Sequence, residues 1–371
     1  MTTVPEFVYE GPWVGGEQRQ DVMVVPSVSV VADPGISILP VQSYAEGREV
    51  RVAVSHDGLG PLTGTVRLEI PGGWRCSPPE EEYDFSSTGE SITRIFRLYP
   101  PDGEGFGKHQ IKVIGTFGGK TYREGYRVID YDHIRKRHQY LPSDVTLETL
   151  DVETYRDLRI GYVEGVGDDV VEAILQLGLQ VDLLDADDLT FGDLGRYEVI
   201  VTGVRAYLVR DDLRSNNNRL LEWVKTGGTL IVQYNKFEFN GDGTGSSPFA
   251  PYPASVGRER VTDENAPIRI LDPDHPVFNS PNRITDLDWA NWVQERGLYF
   301  LGEKSPQFRD LISTSDPFEY NPGEKLGGLV EVDYGKGKWM YVGLGLWRQL
   351  PAGVPGAYRL LANLLSLPRT R

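Results

Sequence analysis

From residue 158 onward the chain repeats one arrangement, in which a short apolar run is followed by a helical pattern and then by another apolar run. "LRIGYVEG" reads as a buried strand ending in Gly165, "DDVVEAILQLG" has helical spacing and stops at Gly178, and "LQVDLLD" is the next strand. "YEVIVTG", the helical "NNNRLLEWVKTGG" and the strand "TLIVQY" follow in the same order. Strands separated by helices in this way pair in parallel through right-handed crossovers, so the segment predicts an open, mostly parallel α/β sheet. Further on, "GGLVEVDYGKGKWMYVGLGLW" reads as a hairpin turning at "GKG", and "GAYRLLANLLSL" as a terminal helix.

The first part of the chain has a different pattern. Between about 26 and 130, "EVRVAVSH", "GTVRLEIP", "SITRIFRLYP", "KHQIKVIGTF" and "TYREGYRVIDY" alternate apolar and polar residues and are punctuated by glycine- and proline-bearing turns. That is the pattern of a small antiparallel β-sandwich. The expected organisation is an N-terminal extension over 1–25, the sandwich over 26–130, a connection over 131–157 and the α/β domain over 158–371. "PGGW" at 71–74 opens a solvated turn in which Trp74 caps the sandwich core. "NGDGTGSSPFAPYPAS", within an irregular stretch from about 237 to 300, reads as a long surface loop.

Composition narrows the function classes. With 39 % hydrophobic and 25 % charged residues, the 371-residue chain is long enough for more than one core. Its formal net charge of −16 opposes nucleic acid and anionic membranes as partners. No apolar run approaches the roughly 20 residues of a membrane helix, and "MTTVPEFVYEGPW" lacks the basic and apolar regions of a signal peptide, so a cytoplasmic location is expected. The single cysteine, Cys76, rules out an internal disulfide and any thiolate cluster.

The segments "GYVEGVGDDV", "GVRAY", "LIVQYNK", "DWANWVQERGLYF" and "RQLPAGVPGAYRLLANLLSL" resemble the C-terminal region of long bacterial proteins that begin with a PIG-L/LmbE-type deacetylase. In that region an immunoglobulin-like domain precedes a domain of the class I glutamine amidotransferase-like, or flavodoxin-like, fold. The resemblance covers about 26–371. It implies an accessory role beside a PIG-L-type deacetylase, because the His-Pro-Asp-Asp type zinc motif of that enzyme is missing. The chain's only His-Pro, His275 and Pro276, is followed by Val277 and Phe278.

Amidotransferase chemistry needs a thiolate at the strand-to-helix elbow, a histidine to take its proton and an acid to orient that histidine. This fold would place the elbow near 204–207, where Val204, Arg205, Ala206 and Tyr207 stand, and Cys76 lies in the sandwich. The G-x-S-x-G elbow of serine hydrolases is also absent. His56, His109, His133, His138 and His275 show no zinc-ligand spacing, and His133 and His138, flanking "IRKR", read as surface or interface residues. No metal and no cofactor is expected. Asp168, in "GVGDDV", reads either as a helix cap or as a carboxylate that binds hydroxyl groups.

The remaining candidate is a crevice at the C-terminal ends of parallel strands, where open α/β sheets bind ligands. Arg205 and Tyr207 follow one strand, and Tyr234, Asn235 and Lys236 follow the next. The resemblance attaches Asp288, Trp289, Trp292, Glu295, Arg296 and Tyr299 to the same domain. Indoles that stack on sugar faces, with Asp, Asn and Arg groups bonding hydroxyls, suit a carbohydrate or glycoconjugate. The competing reading packs Trp289 and Trp292 into the core and pairs Arg205 with Glu295. The favoured function is non-catalytic binding of a glycan, a glycoconjugate or a deacetylase partner. The alternative is a carboxylate-dependent hydrolase acting on a carbohydrate derivative with Asp168, Asp288 and Glu295. A purely structural assembly module is a third reading.

Overall fold

The computed structural model describes residues 5–10, 17–131, 134–241 and 245–370 of a multidomain, β-rich protein. It divides into two compact units. One comprises Met1–Leu39 with Ser43–Thr149, and the other Pro40–Gln42 with Leu150–Arg371. No helix among the described residues is long and apolar enough to cross a membrane. His133 lies outside the described residues.

In the first unit, strands Ile36–Pro40, Val145–Leu150, Gly107–Phe117, Leu62–Glu69 and Glu80–Phe85 lie side by side, with Lys120–Tyr122 also pairing on Gly107–Phe117. A second sheet runs Val28–Asp33, Arg48–His56, Ser91–Tyr99 and Arg75–Ser77. Both sheets send alternate residues into one core that contains Val30, Val52, Phe96, Val66, Val113 and Leu147, as the period-2 pattern requires. Trp74 joins this core, and its indole N–H donates to Glu104 at 2.8 Å.

Two segments depart from expectation. Residues 131–157 are not a plain connection: Arg137–Pro142 pairs with Glu124–Ile129, and Val145–Leu150 lies between two strands of the larger sheet. Within the expected N-terminal extension, Glu6–Glu10 and Glu17–Asp21 form an antiparallel pair.

The second unit is organised by β1 (Ile160–Val163), β2 (Val181–Leu183), β3 (Val199–Thr202), β4 (Thr229–Gln233), β5 (Arg309–Asp310), β6 (Leu329–Tyr334) and β7 (Gly337–Val342). Their spatial order is β2-β1-β3-β4-β7-β6-β5. The first five run parallel, and β6 and β5 add antiparallel at one edge. The β6–β7 hairpin turns at Gly335 and Lys336, directly after the Tyr334–Gly337 pair.

Helices follow as α1 (Val170–Gln176), α2 (Ala186–Phe191), α3 (Ala206–Val209), α4 (Asp211–Thr226), α5 (Leu346–Gln349) and α6 (Pro355–Ser366). Ile200, Leu230, Val232, Trp339 and Tyr341 pack with Leu213, Leu220 and Trp223 of α4. The alternate residues Val199, Val201, Ile231, Met340 and Val342 are buried as well, so the sheet is covered on both faces. The irregular stretch folds back on itself through Ala254–Val256 with Leu301–Lys304, Arg260–Val261 with Gly297–Leu298, and Ile268–Ile270 with Ile312–Thr314. Phe249, within the expected surface loop, is a core residue.

Candidate functional site

The strand-to-helix elbow forms where the sequence places it. β3 ends at Thr202, α3 starts at Ala206, and Arg205 between them is left-handed at φ 52° and ψ 32°. For a non-glycine residue that conformation is costly and persists only when its surroundings fix it. They do so from two sides. The Arg205 N–H donates to the Tyr234 carbonyl at 2.8 Å, and the Val204 N–H donates to the Asp168 carboxylate at 2.8 Å. Arg205 is therefore held in a strained, left-handed turn between β3 and α3.

Around Arg205 the C-terminal edge of the sheet carries an aromatic shelf. Tyr234 stacks on Trp347 of α5 with centroids 4.5 Å apart and meets Tyr299 edge-on at 5.8 Å. Phe237 meets Tyr299 edge-on at 5.5 Å and is 40 % exposed, Trp347 and Tyr299 are half-buried, and Tyr234 is buried beneath them. Tyr299 is also left-handed, at φ 53°. The shelf is bordered by charge. Arg205 reaches Glu238 with Nε–Oε1 at 2.7 Å and Nη2–Oε2 at 3.3 Å, Lys236 Nζ lies 5.5 Å from the Tyr299 ring centroid, and Arg348 Nε donates to Glu295 at 2.6 Å.

The electrostatics follow from this packing. Burial pushes the Tyr234 hydroxyl up to about 12, against the opposing pull of the Arg205 charge. Burial also raises the Glu238 carboxyl, but its bonds from Arg205 and from the backbone N–H groups of Lys236 and Glu238 outweigh this and hold it below the usual carboxylate range. Tyr234 is thus a neutral hydrogen-bonding group at physiological pH, and Glu238 is ionised and paired.

The other expected site residues are dispersed. Tyr207 is fully buried: its hydroxyl donates to Asn217 at 2.8 Å and its ring packs on Phe239 and Phe249, so it belongs to the core and not to the crevice. Asn235 is also buried and donates to the Gln233 carbonyl at 2.8 Å. Asp168 is not the cap of α1, whose N-cap residue is Asp169; its carboxylate is held by structural partners, accepting from the Tyr162 hydroxyl at 2.6 Å, the Val170 N–H at 3.2 Å and the Val204 N–H. Asp288 closes a capping box with Thr285 and pairs with Arg359 at 3.0 Å. Trp292 is core, its indole N–H donating to the Asp288 carbonyl. Trp289 and Arg296 line a separate recess.

The partner of Arg205 is Glu238 and not Glu295, which is held by Arg348. Asp168, Asp288 and Glu295 each serve a different set of structural partners, an arrangement that gives a paired acid and base no support. Sequence reasoning misses Glu238, Phe237, Arg348 and Trp347. Only "YNKFEF" hints at this group, by placing aromatic and charged residues directly after β4. Among the described residues no group of three or more His, Cys, Asp and Glu side chains is placed to hold a metal ion.

No protein-family model and no curated protein matches the chain. Among solved structures it is similar to the β-galactosidase from Rahnella sp. R3, at 16 % identity over 55 % of this chain and 31 % of that one, with a TM-score of 0.33. It is also similar to the β-galactosidase from Bacillus circulans sp. alkalophilus, at 13 % identity over 59 % and 32 %, with a TM-score of 0.36. The chain spans about a third of the length of these two enzymes. Likeness at such scores assigns neither fold nor activity.

Proposed function

We propose that this protein is a non-catalytic binding protein whose α/β unit is an amidotransferase-like domain with arginine in place of the nucleophile, preceded by an immunoglobulin-like sandwich, and that its shelf holds a carbohydrate. The observation that carries this reading is the continuous group Tyr234, Trp347, Tyr299 and Phe237, which is bordered by Arg205–Glu238, Lys236 and Glu295–Arg348. Aromatic faces take the C–H face of a sugar ring, and rigid charged groups at their rim bond its hydroxyls. Arginine at the elbow contributes fixed donors and no nucleophile. The resemblance noted above would set such a protein beside a PIG-L-type deacetylase and a glycoconjugate substrate.

A glycan array read with the parent protein and with Trp347→Ala tests the proposal. The parent should retain at least one glycan, and the variant should lose about tenfold or more in affinity for it while keeping its melting temperature within a few degrees. A folded parent that binds no glycan, or a variant that binds as well as the parent, overturns it.

A further inference from the structure

Trp289 and Arg296 line a recess of about 430 Å³ with Pro267, Ile268, Asn265 and Asp286, and no shelf residue lines it. Arg296 is only 3 % exposed. Its Nε donates to the Ala266 carbonyl at 2.8 Å, its Nη1 donates to the Trp289 carbonyl at 2.6 Å, and its guanidinium lies 5.3 Å from the Trp292 ring centroid. A guanidinium has five N–H donors, and the Nη2 of Arg296 makes no hydrogen bond within the described chain. Among the described residues no carboxylate lies within 4.0 Å of it. Burial accordingly pulls the Arg296 guanidinium down to about 10, while Asp263 and Glu264 oppose that from a distance. The indole N–H of Trp289 is likewise buried without an acceptor.

A cation this buried normally has an anion beside it, because the desolvation of the charge is otherwise uncompensated. Here backbone carbonyls take part of that role, and the rest of the guanidinium borders an opening. The recess is of a size that holds a small molecule, its walls include the apolar Pro267, Ile268 and Trp289, and the exposed Asp286 is its one acidic lining residue. We propose that this recess binds a small carboxylate on a compact ring, of the uronate type, with Arg296 receiving the carboxylate and the apolar wall covering the ring. Asp286 then weakens the site by repulsion and keeps it selective for ligands that pair closely with Arg296. The recess is independent of the aromatic shelf, so either site can be present without the other.

The test is titration of the parent protein with glucuronate, read by the indole N–H signals in nitrogen–proton spectra, with Trp289→Phe used to assign the Trp289 signal. That signal should shift saturably with a dissociation constant in the range of about 1–10 mM, and glucose at the same concentrations should leave it in place. Arg296→Lys keeps the charge and loses the planar fork, and should weaken glucuronate by about tenfold. Asp286→Asn removes the repulsion at an exposed position and should strengthen it by about two- to fivefold. Trp347→Ala should leave it unchanged. No shift up to about 100 mM glucuronate, an equal response to glucose, or loss of the effect in Trp347→Ala overturns the proposal. If Arg296→Lys does not fold, an unchanged glucuronate affinity in Asp286→Asn overturns it as well.

Discussion

Arg205 grips Glu238 with two parallel hydrogen bonds, at 2.7 and 3.3 Å, while its own backbone is held left-handed at φ 52°. The side chain therefore stabilises the turn while the backbone strains it. Replacing Arg205 with alanine removes the first and keeps the second. The pair is about one-quarter and one-seventh exposed, so the loss should be about 1–2 kcal/mol rather than the larger cost of orphaning a fully buried charge. Arg205→Gly removes both, and should be less destabilising than Arg205→Ala by about 1 kcal/mol, because glycine adopts this conformation freely. Urea unfolding of the two variants decides the matter. Glycine falling below alanine would show that the left-handed backbone carries no strain.

A second pair makes the second unit sensitive to acid. Glu331 of β6 is fully buried. It accepts from His275 Nε2 at 2.9 Å, pairs with Lys338 Nζ at 2.9 Å and is also paired with Arg309. The His275 Nδ1 accepts the Val277 N–H, which leaves the imidazole proton on Nε2. Burial alone would raise the Glu331 carboxyl, but the hydrogen bonds from His275 and Lys338, together with the Lys338 charge, bring it down to about 2. A carboxyl with a lower pKa folded than unfolded binds fewer protons in the native state, so its stabilisation is present above about pH 4.5 and is lost as pH falls towards 2. The contribution is about 3 kcal/mol. Glu331→Gln should reduce the stability difference between pH 5 and pH 3 by about 2 kcal/mol. An unchanged slope of stability against pH in that variant would exclude Glu331 as its source.

Much of the second unit was legible because a sheet buried on both faces has continuous apolar strands, and "YEVIVTG" and "TLIVQY" have no other use for such runs. The elbow was legible for the same reason, since it must follow such a strand. What periodicity could not show is the direction of single side chains after a strand ends. Tyr207 faces the core because α3 turns it onto Phe239 and Phe249, and Phe249 sits among Ser, Pro and Ala residues that read as a surface loop. Val145–Leu150 alternates in sequence only as far as Glu148 and then breaks at Thr149, and in the fold every residue but Thr146 is buried, including Glu148 at 5 % exposure with Lys108 at 3.8 Å, so its burial does not follow a period of two. Trp347 follows β7 in "GLGLW" and reads as the tail of that strand, whereas a short helix lifts it onto Tyr234.

Cys76 should be a poor nucleophile. Its half-buried thiol is pushed up to about 11 by burial, and its Sγ lies 3.2 Å from the Pro78 carbonyl. The thiolate fraction at neutral pH is then on the order of a hundredfold below that of an ordinary thiol. Alkylation by iodoacetamide at pH 7 should be slower than that of glutathione by a similar factor and should recover on unfolding in urea. Reaction of the native protein at the rate of glutathione would contradict this environment.

The close approach of two loops gives the last prediction. A methyl group added at Gly165, just after β1, would lie 2.0 Å from the carbonyl oxygen of Val204, and that same oxygen accepts the Val166 N–H at 2.9 Å. Both sides of the contact are backbone, so no side chain can swing away to admit the methyl group. Gly165→Ala must therefore separate the loop after β1 from the elbow, and should destabilise the protein by at least about 3 kcal/mol. The separation would pull Val204 from Asp168 and release the restraint that keeps Arg205 left-handed against the Tyr234 carbonyl. Amide exchange in native conditions should accelerate first at Val204 and Arg205, and only later in the strands of the sheet. Gly165→Ala melting with the parent, or exchange at the elbow remaining as slow as in the sheet, would mean that the two loops can part without disturbing the turn.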